Sequence, residues 1–161
     1  MSVPSVIPVK CEPDYRTSTI GHCLGGQFFG SVTAAFPEGW SGKDWPENKR
    51  WFAVLHRFDE AGQHLGSRIR CTGTTADGER QVIDVACELL DQWLDELPDR
   101  TYGDIAIAPF AVHEEGCLFG LVVEQHGAGD SEGEAEGEDD WAELYPDGLG
   151  FHAPWDGEYD T

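Results

Sequence analysis

The stretch Gln81-Val-Ile-Asp-Val-Ala-Cys-Glu-Leu-Leu90-Asp-Gln-Trp-Leu-Asp-Glu-Leu-Pro98 decides the fold, because it reads as a long amphipathic helix. Its apolar residues recur at spacings of three and four, which places them on one helix face, and acidic residues fill the opposite side. Thr75 or Asp77 can cap the start of the helix, and Pro98 stops it. The apolar positions are Val82, Ala86, Leu89, Leu90, Trp93 and Leu97, and the acidic positions are Glu79, Glu88, Asp91, Asp95 and Glu96.

Segments that alternate apolar and polar residues lie on both sides of this helix, and such alternation is typical of strands. Pro109 lies inside one of these segments and favours an edge strand or a bulge there. The order β-β-β-β-α-β-β predicts an α+β fold, in which a single antiparallel sheet of five to six strands carries the helix on one face. The predicted strands are residues 6–10, 26–36, 51–58, 65–72, 105–112 and 117–123, and residues 11–24 and 37–49 are predicted loops.

The composition of the chain divides it into three predicted parts. Residues 1–126 form a single α+β domain, and the Gly- and acid-rich residues 127–140 form a flexible linker. Residues 141–161 contain too many aromatic side chains for a solvated tail. They are therefore expected to dock either on the domain or on a partner.

The distribution of charge restricts the partners. The chain has 10 Lys and Arg against 31 Asp and Glu, and its net charge is −21. Every Lys and Arg lies at or before Arg100, so the Asp and Glu of residues 101–161 are not balanced by any Lys or Arg in that part of the chain. Such a protein repels phosphate backbones and anionic membranes, which argues against direct binding of nucleic acid or lipid surfaces. A basic protein is the expected partner, and a role of the charge in solubility alone is the alternative.

The chain shows no secretory leader and no apolar stretch of the roughly 18–20 residues that a membrane span needs. Its five Cys are widely spaced without a CxxC pair, which suits reduced thiols. We therefore expect a cytoplasmic protein.

Motifs of catalysis and cofactor binding are missing from the sequence. It contains no GxSxG, no GxGxxG and no GxxxxGK[ST], so a non-enzymatic role without a cofactor is expected. His113, Glu115 and Cys117 offer imidazole, carboxylate and thiolate within five residues and are weak candidates for a metal site. Their place on a predicted hairpin turn explains the same residues equally well. His56, in an apolar strand, is expected to be a hydrogen-bonded core residue.

The candidate partner-binding site is an acidic stretch that runs into aromatic residues. Acidic side chains steer a basic partner, and aromatic side chains supply affinity when they are buried against it. The predicted site consists of Glu138, Asp139, Asp140, Trp141, Glu143, Tyr145, Trp155 and Asp156. The sequence thus indicates an inhibitor, an immunity-like protein or a regulator that engages a basic protein. The alternative is a ligand-binding or enzymatic domain with a pocket between sheet and helix.

Six segments of the chain resemble a known family over nearly its whole length. They are Glu12-Pro-Asp-Tyr-Arg-Thr17, Val32-Thr-Ala-Ala-Phe-Pro-Glu38, Arg50-Trp-Phe-Ala-Val-Leu-His56, Gly73-Thr-Thr-Ala-Asp-Gly-Glu79, Tyr102-Gly-Asp-Ile-Ala106 and Pro154-Trp-Asp-Gly-Glu-Tyr-Asp-Thr161. Together they resemble small acidic actinobacterial proteins labelled formate hydrogenlyase regulatory protein. The resemblance implies a regulator that acts through another protein, and it carries no catalytic or ligand motif.

Overall fold

The computed structural model describes residues 3–13, 16–124, 140–152 and 154–160. The predicted linker, residues 127–140, lies outside these described residues except for Asp140. Within them the fold is α+β with antiparallel sheets and one long helix, as predicted.

The elements follow one another in a β-rich order. Before the long helix come β1 (Ile7–Val9), β2 (Ile20–Cys23), β3 (Gly26–Ala35), α1 (Trp45–Asn48), β4 (Arg50–Phe58) and β5 (His64–Thr74). The long helix is α2 (Glu79–Asp95). After it come β6 (Thr101–Tyr102), β7 (Ile105–Ile107), β8 (Phe110–Glu114), β9 (Cys117–Glu124), β10 (Trp141–Tyr145), β11 (Leu149–Phe151) and β12 (Tyr159–Asp160).

The amphipathic pattern of α2 is realised as predicted, but its N-terminus differs from the prediction. The Asp77 carboxylate accepts the Thr74 backbone N–H at 3.0 Å, which closes a 3-10 turn ahead of α2. Gly78, with a φ of 112°, occupies the N-cap position of α2 without any side-chain cap. Asp77 therefore stabilises the turn that precedes the helix. The helix itself is stabilised by burial of its apolar face, which consists of Val82, Ala86, Leu90 and Leu94.

The expected single sheet is instead two five-stranded sheets and a two-stranded one. The helix-side sheet has the order β5-β4-β3-β2-β6, the C-terminal sheet has the order β12-β11-β10-β9-β8, and β1 pairs with β7. Pro109 has no backbone N–H and separates β7 from β8, which then join different sheets. Because β10, β11 and β12 add to β9 and β8, the predicted second hairpin becomes half of a complete sheet.

The two large sheets pack face to face, and α2 covers the outer side of the helix-side sheet. Phe28, Ala53 and Leu55 face α2, whereas Phe52 on the opposite side meets Phe119 of β9. These two rings lie 4.9 Å apart in an edge-to-face arrangement, and both are fully buried. Burial of one such side chain contributes about 1.5–3 kcal/mol, so the contact between the sheets is a main source of stability.

Residues 141–145 pair with β9 of the same chain as strand β10. Ala142 and Leu144 are buried against the core, and Trp141, Glu143 and Tyr145 alternate with them on the outer face. The period of two, which is the signature of a half-buried strand, explains this arrangement.

Among the described residues, no helix combines the length and the apolar character that crossing a membrane would require.

Candidate functional site

A groove of about 850 Å³ follows β3 between α2 and the turn that joins β10 to β11; we call it the edge groove. Its floor is the second half of β3, from Gly30 to Ala34. Its walls are Cys87, Leu90 and Asp91 on α2 and Pro146 and Asp147 on the turn, and Arg16 and Lys49 also line it.

The floor of the edge groove is an open edge of the helix-side sheet. β2 pairs only with the first residues of β3, up to Phe29, and the Gly30 N–H then reaches the Thr19 carbonyl at 2.8 Å. The backbone N–H and C=O groups of successive strand residues point alternately to the two edges of the strand. The N–H and C=O groups of Val32 and Ala34 therefore point to the same edge as those of Gly30. No described residue forms a backbone hydrogen bond with Val32 or Ala34 on that side, and both residues are only half-buried.

Asp147 links the turn wall of the groove to its floor. The Thr33 hydroxyl donates to Asp147 Oδ1, and Arg16 Nη1 donates to the Asp147 carbonyl at 3.1 Å. Burial raises the pKa of the Asp147 carboxyl, against the opposing influence of the Thr33 hydrogen bond and the Arg16 charge. Thr33 and Asp147 lie 114 positions apart, so no local pattern in the sequence brings them together.

The helix wall of the edge groove carries a negative potential. The pKa of the Cys87 thiol is raised by burial and then by the charges of Asp91 and Asp84. Of the two bases in the groove lining, Lys49 lies 3.8 Å from Glu79. The lining itself holds two acids, Asp91 and Asp147, and two bases, and the nearby Asp84 and Glu79 add further acid around the groove.

The structure gathers three of the predicted partner-binding residues on the outer face of β10. Trp141 Nε1 donates to Glu143 Oε1 at 3.4 Å, and the Tyr145 hydroxyl donates to Glu124 Oε2 at 2.6 Å. The hydrogen bond to Glu124, then burial and the nearby acids, raise the pKa of Tyr145 to about 12. The polar groups of these side chains therefore already form hydrogen bonds within the chain. Asp140 directly precedes β10, and Glu138 and Asp139 lie outside the described residues.

Trp155 and Asp156 do not join that face. Trp155 packs against the core cluster that contains Ile7 and Phe151. The Asp156 carboxylate accepts the Glu158 backbone N–H at 3.2 Å, in a local turn. The predicted partner-binding set is thus divided between two places.

The weak metal candidates are not brought together either. In the β8–β9 hairpin His113 is opposite Leu118 and Glu114 is opposite Cys117, which sends the His113 and Cys117 side chains to different faces. Cys117 is buried beside Phe119, whereas His113 lies 3.7 Å from the exposed Glu38 carboxylate. The described residues contain no group of three or more His, Cys, Asp or Glu side chains suited to a metal ion.

His56 is the hydrogen-bonded core residue that its strand position predicts. Its Nδ1 lies 2.6 Å from Ser67 Oγ, which also lies 2.8 Å from His64 Nε2. Burial, and then the neighbouring His64, lower the pKa of His56 to about 3. The ring also contacts Phe110 at 4.7 Å, so this cluster belongs to the packing between the sheets.

Comparisons with protein-family models, curated proteins and solved structures found no match for this chain.

Proposed function

We propose that the protein is a non-enzymatic binding protein, and that it engages a basic protein by accepting an extended segment of it along β3. The observation that carries the proposal is the pair of backbone N–H groups at Val32 and Ala34, which have no partner among the described residues and face the edge groove. Extended peptides commonly bind by adding a strand to such an edge, where main-chain hydrogen bonds supply affinity and wall contacts supply specificity.

The charge around the groove favours a basic segment. Asp91 and Asp147 lie at its walls, the charge of Asp84 acts on Cys87 of the helix wall, and the whole chain carries a net charge of −21. A cationic strand would meet attractive charge during approach as well as in the bound state. An acidic strand would meet repulsion at both stages.

This mode suits a regulator, an inhibitor or an immunity-like protein in the cytoplasm. The resemblance to formate hydrogenlyase regulatory proteins also implies action through another protein, and it supports the proposal in that respect. The C-terminal segment takes part in this proposal through Pro146 and Asp147, which form one wall of the groove.

Replacement of Ala34 tests the proposal on the full-length protein. Ala34→Pro removes the N–H that faces the open edge and leaves every hydrogen bond to β4 intact, so the fold tolerates it. Ala34→Ser is the matched control because it keeps the N–H. The ligands are an extended peptide of alternating Val and Lys and its Val/Glu counterpart, and binding is measured by fluorescence anisotropy.

We expect the Val/Lys peptide to bind the unmodified protein and Ala34→Ser alike, and to bind Ala34→Pro at least about tenfold more weakly, a loss of roughly 1.4 kcal/mol. Bound peptide should also slow hydrogen exchange at the Val32 and Ala34 amides. Equal binding to Ala34→Pro, or equal binding of the Val/Glu peptide, would exclude strand addition at this edge.

A further inference from the structure

A second, smaller cavity of about 210 Å³ lies between the C-terminal half of α2 and the β4–β5 hairpin. We call it the arginine pocket. It shares no residue with the edge groove. The residues that matter for its chemistry are Leu55, Arg57, Gly66, Arg68, Trp93 and Leu97.

Arg57 lines this pocket without an ion-pair partner in the described part of the chain. Its Nε is buried and has no hydrogen-bond partner among the described residues, and no described ion pair includes its guanidinium. A buried donor without an acceptor destabilises the folded protein. In a chain with 31 acidic residues, a half-buried arginine that forms no ion pair with any of the described ones is available to pair with an anion.

The pocket has room for that anion because of Gly66. In the β4–β5 register Gly66 is directly opposite Arg57, and a Cβ at Gly66 would meet no atom within 4 Å. Any larger residue would extend into the space beside the guanidinium.

Arg68 and Glu96 set the charge of the anion. Arg68 Nη2 donates to Glu96 Oε1 at 2.9 Å, and its guanidinium lies 5.6 Å from the Trp93 ring centroid. This base is therefore neutralised, which leaves the pocket with the single positive charge of Arg57. A monoanion matches this single charge, whereas a phosphate dianion brings one negative charge more than the guanidinium of Arg57 balances.

The remaining walls are apolar. Leu55, Trp93 and Leu97 line the pocket, and such surface favours a ligand with an apolar or aromatic body. The planar, forked geometry of a guanidinium also matches a carboxylate with two parallel hydrogen bonds.

We propose that the arginine pocket binds a small carboxylate with an apolar body, whose carboxylate pairs with Arg57 and whose body packs between Trp93 and Leu97. This site is independent of strand addition at β3.

Calorimetric titration of the full-length protein with benzoate, acetate and inorganic phosphate tests this site. Arg57→Gln removes the charge, and Gly66→Val fills the space while it keeps Arg57. Arg70→Gln is the control because Arg70 is an exposed arginine on the neighbouring strand β5, outside the pocket. Thermal unfolding of each variant establishes that it is folded.

We expect saturable binding of benzoate, weaker binding of acetate and no binding of phosphate. Arg57→Gln and Gly66→Val should each weaken benzoate binding at least about tenfold, and Arg70→Gln should leave it unchanged. The proposal is overturned if none of the acids binds saturably, if phosphate binds as well as benzoate, or if both pocket variants bind benzoate like the unmodified protein.

Discussion

At the scale of single residues, His56 shows how the core fixes a protonation state. The imidazole is buried among Phe29, Phe58 and Phe110, and its Nδ1 contacts Ser67. Because burial penalises the imidazolium, the pKa of His56 falls to about 3. In the unfolded chain the same imidazole takes up a proton near its ordinary pKa of about 6.5.

His56→Gln is expected to reduce the loss of stability in acid. The neutral histidine contributes stability above the unfolded pKa, and this contribution is lost as the pH falls from about 6.5 towards about 3, by at most about 1.4 kcal/mol per pH unit. Urea unfolding between about pH 7.5 and about pH 4.5 should therefore show His56→Gln less stable at neutral pH, with a difference that shrinks on acidification.

Leu121→Ala serves as the control for this experiment, because Leu121 is fully buried in the same core and does not titrate. It should lower the free energy of unfolding by a similar amount at every pH. Parallel pH profiles for His56→Gln and the unmodified protein would contradict the assignment of His56 as a neutral core residue.

At the scale of elements, β10 joins the aromatic C-terminal residues to the rest of the chain. Two neighbouring positions on this strand differ sharply in environment, since Leu144 is 3% exposed and Glu143 lies on the outer face. They allow the packing of the strand to be measured with a matched pair of substitutions.

Leu144→Ala is expected to destabilise the protein by about 2–5 kcal/mol, because it removes buried methyl groups and leaves a cavity. Glu143→Ala should change the free energy of unfolding by no more than about 0.5 kcal/mol, as is usual for outer positions. Chemical denaturation of the full-length variants measures both. Similar small effects at the two positions would mean that β10 does not pack on its own chain in solution.

The long helix and the longest strands could be predicted from the sequence because each has a strong period of its own. β2 was assigned to a loop, since it has only four residues and Gly21 interrupts its pattern. The strands β10, β11 and β12 were not predicted, because the acidic run before Trp141 dominates the composition there. The edge groove depends on where β2 stops pairing and on the contact between Thr33 and Asp147, and both are properties of the tertiary fold.

At the scale of the whole molecule, the two sheets differ in charge. All strands of the C-terminal sheet follow Arg100, so none of its strands contains a Lys or an Arg. Lys and Arg side chains from the earlier part of the chain contact residues of this sheet or of its connecting turns. Arg50 Nη1 donates to the Glu115 carbonyl, and Lys10 Nζ lies 3.4 Å from Glu158.

Added salt is expected to stabilise the protein. Exposed ion pairs such as Lys10–Glu158 contribute only about 0–1 kcal/mol each, so their screening costs less than the relief of repulsion among the excess acids. At about 0.1 M salt the Debye length is about 10 Å, and for a chain of this size Tm should rise by about 2–4 °C for each kcal/mol gained. Thermal unfolding in NaCl and KCl at equal ionic strength should give the same rise, and a fall in Tm would contradict it.

The absence of Lys and Arg from the C-terminal sheet also determines how a protease meets the two sheets. Trypsin cleaves after Lys or Arg, and the last such residue in the chain is Arg100. Local opening of β8 to β12 therefore exposes no tryptic site, however often it occurs, and residues 101–161 leave a digest as one fragment. A glutamate-specific protease finds sites within that same sheet, at residues such as Glu124 and Glu143, so cleavage at these residues reports an opening that trypsin does not detect.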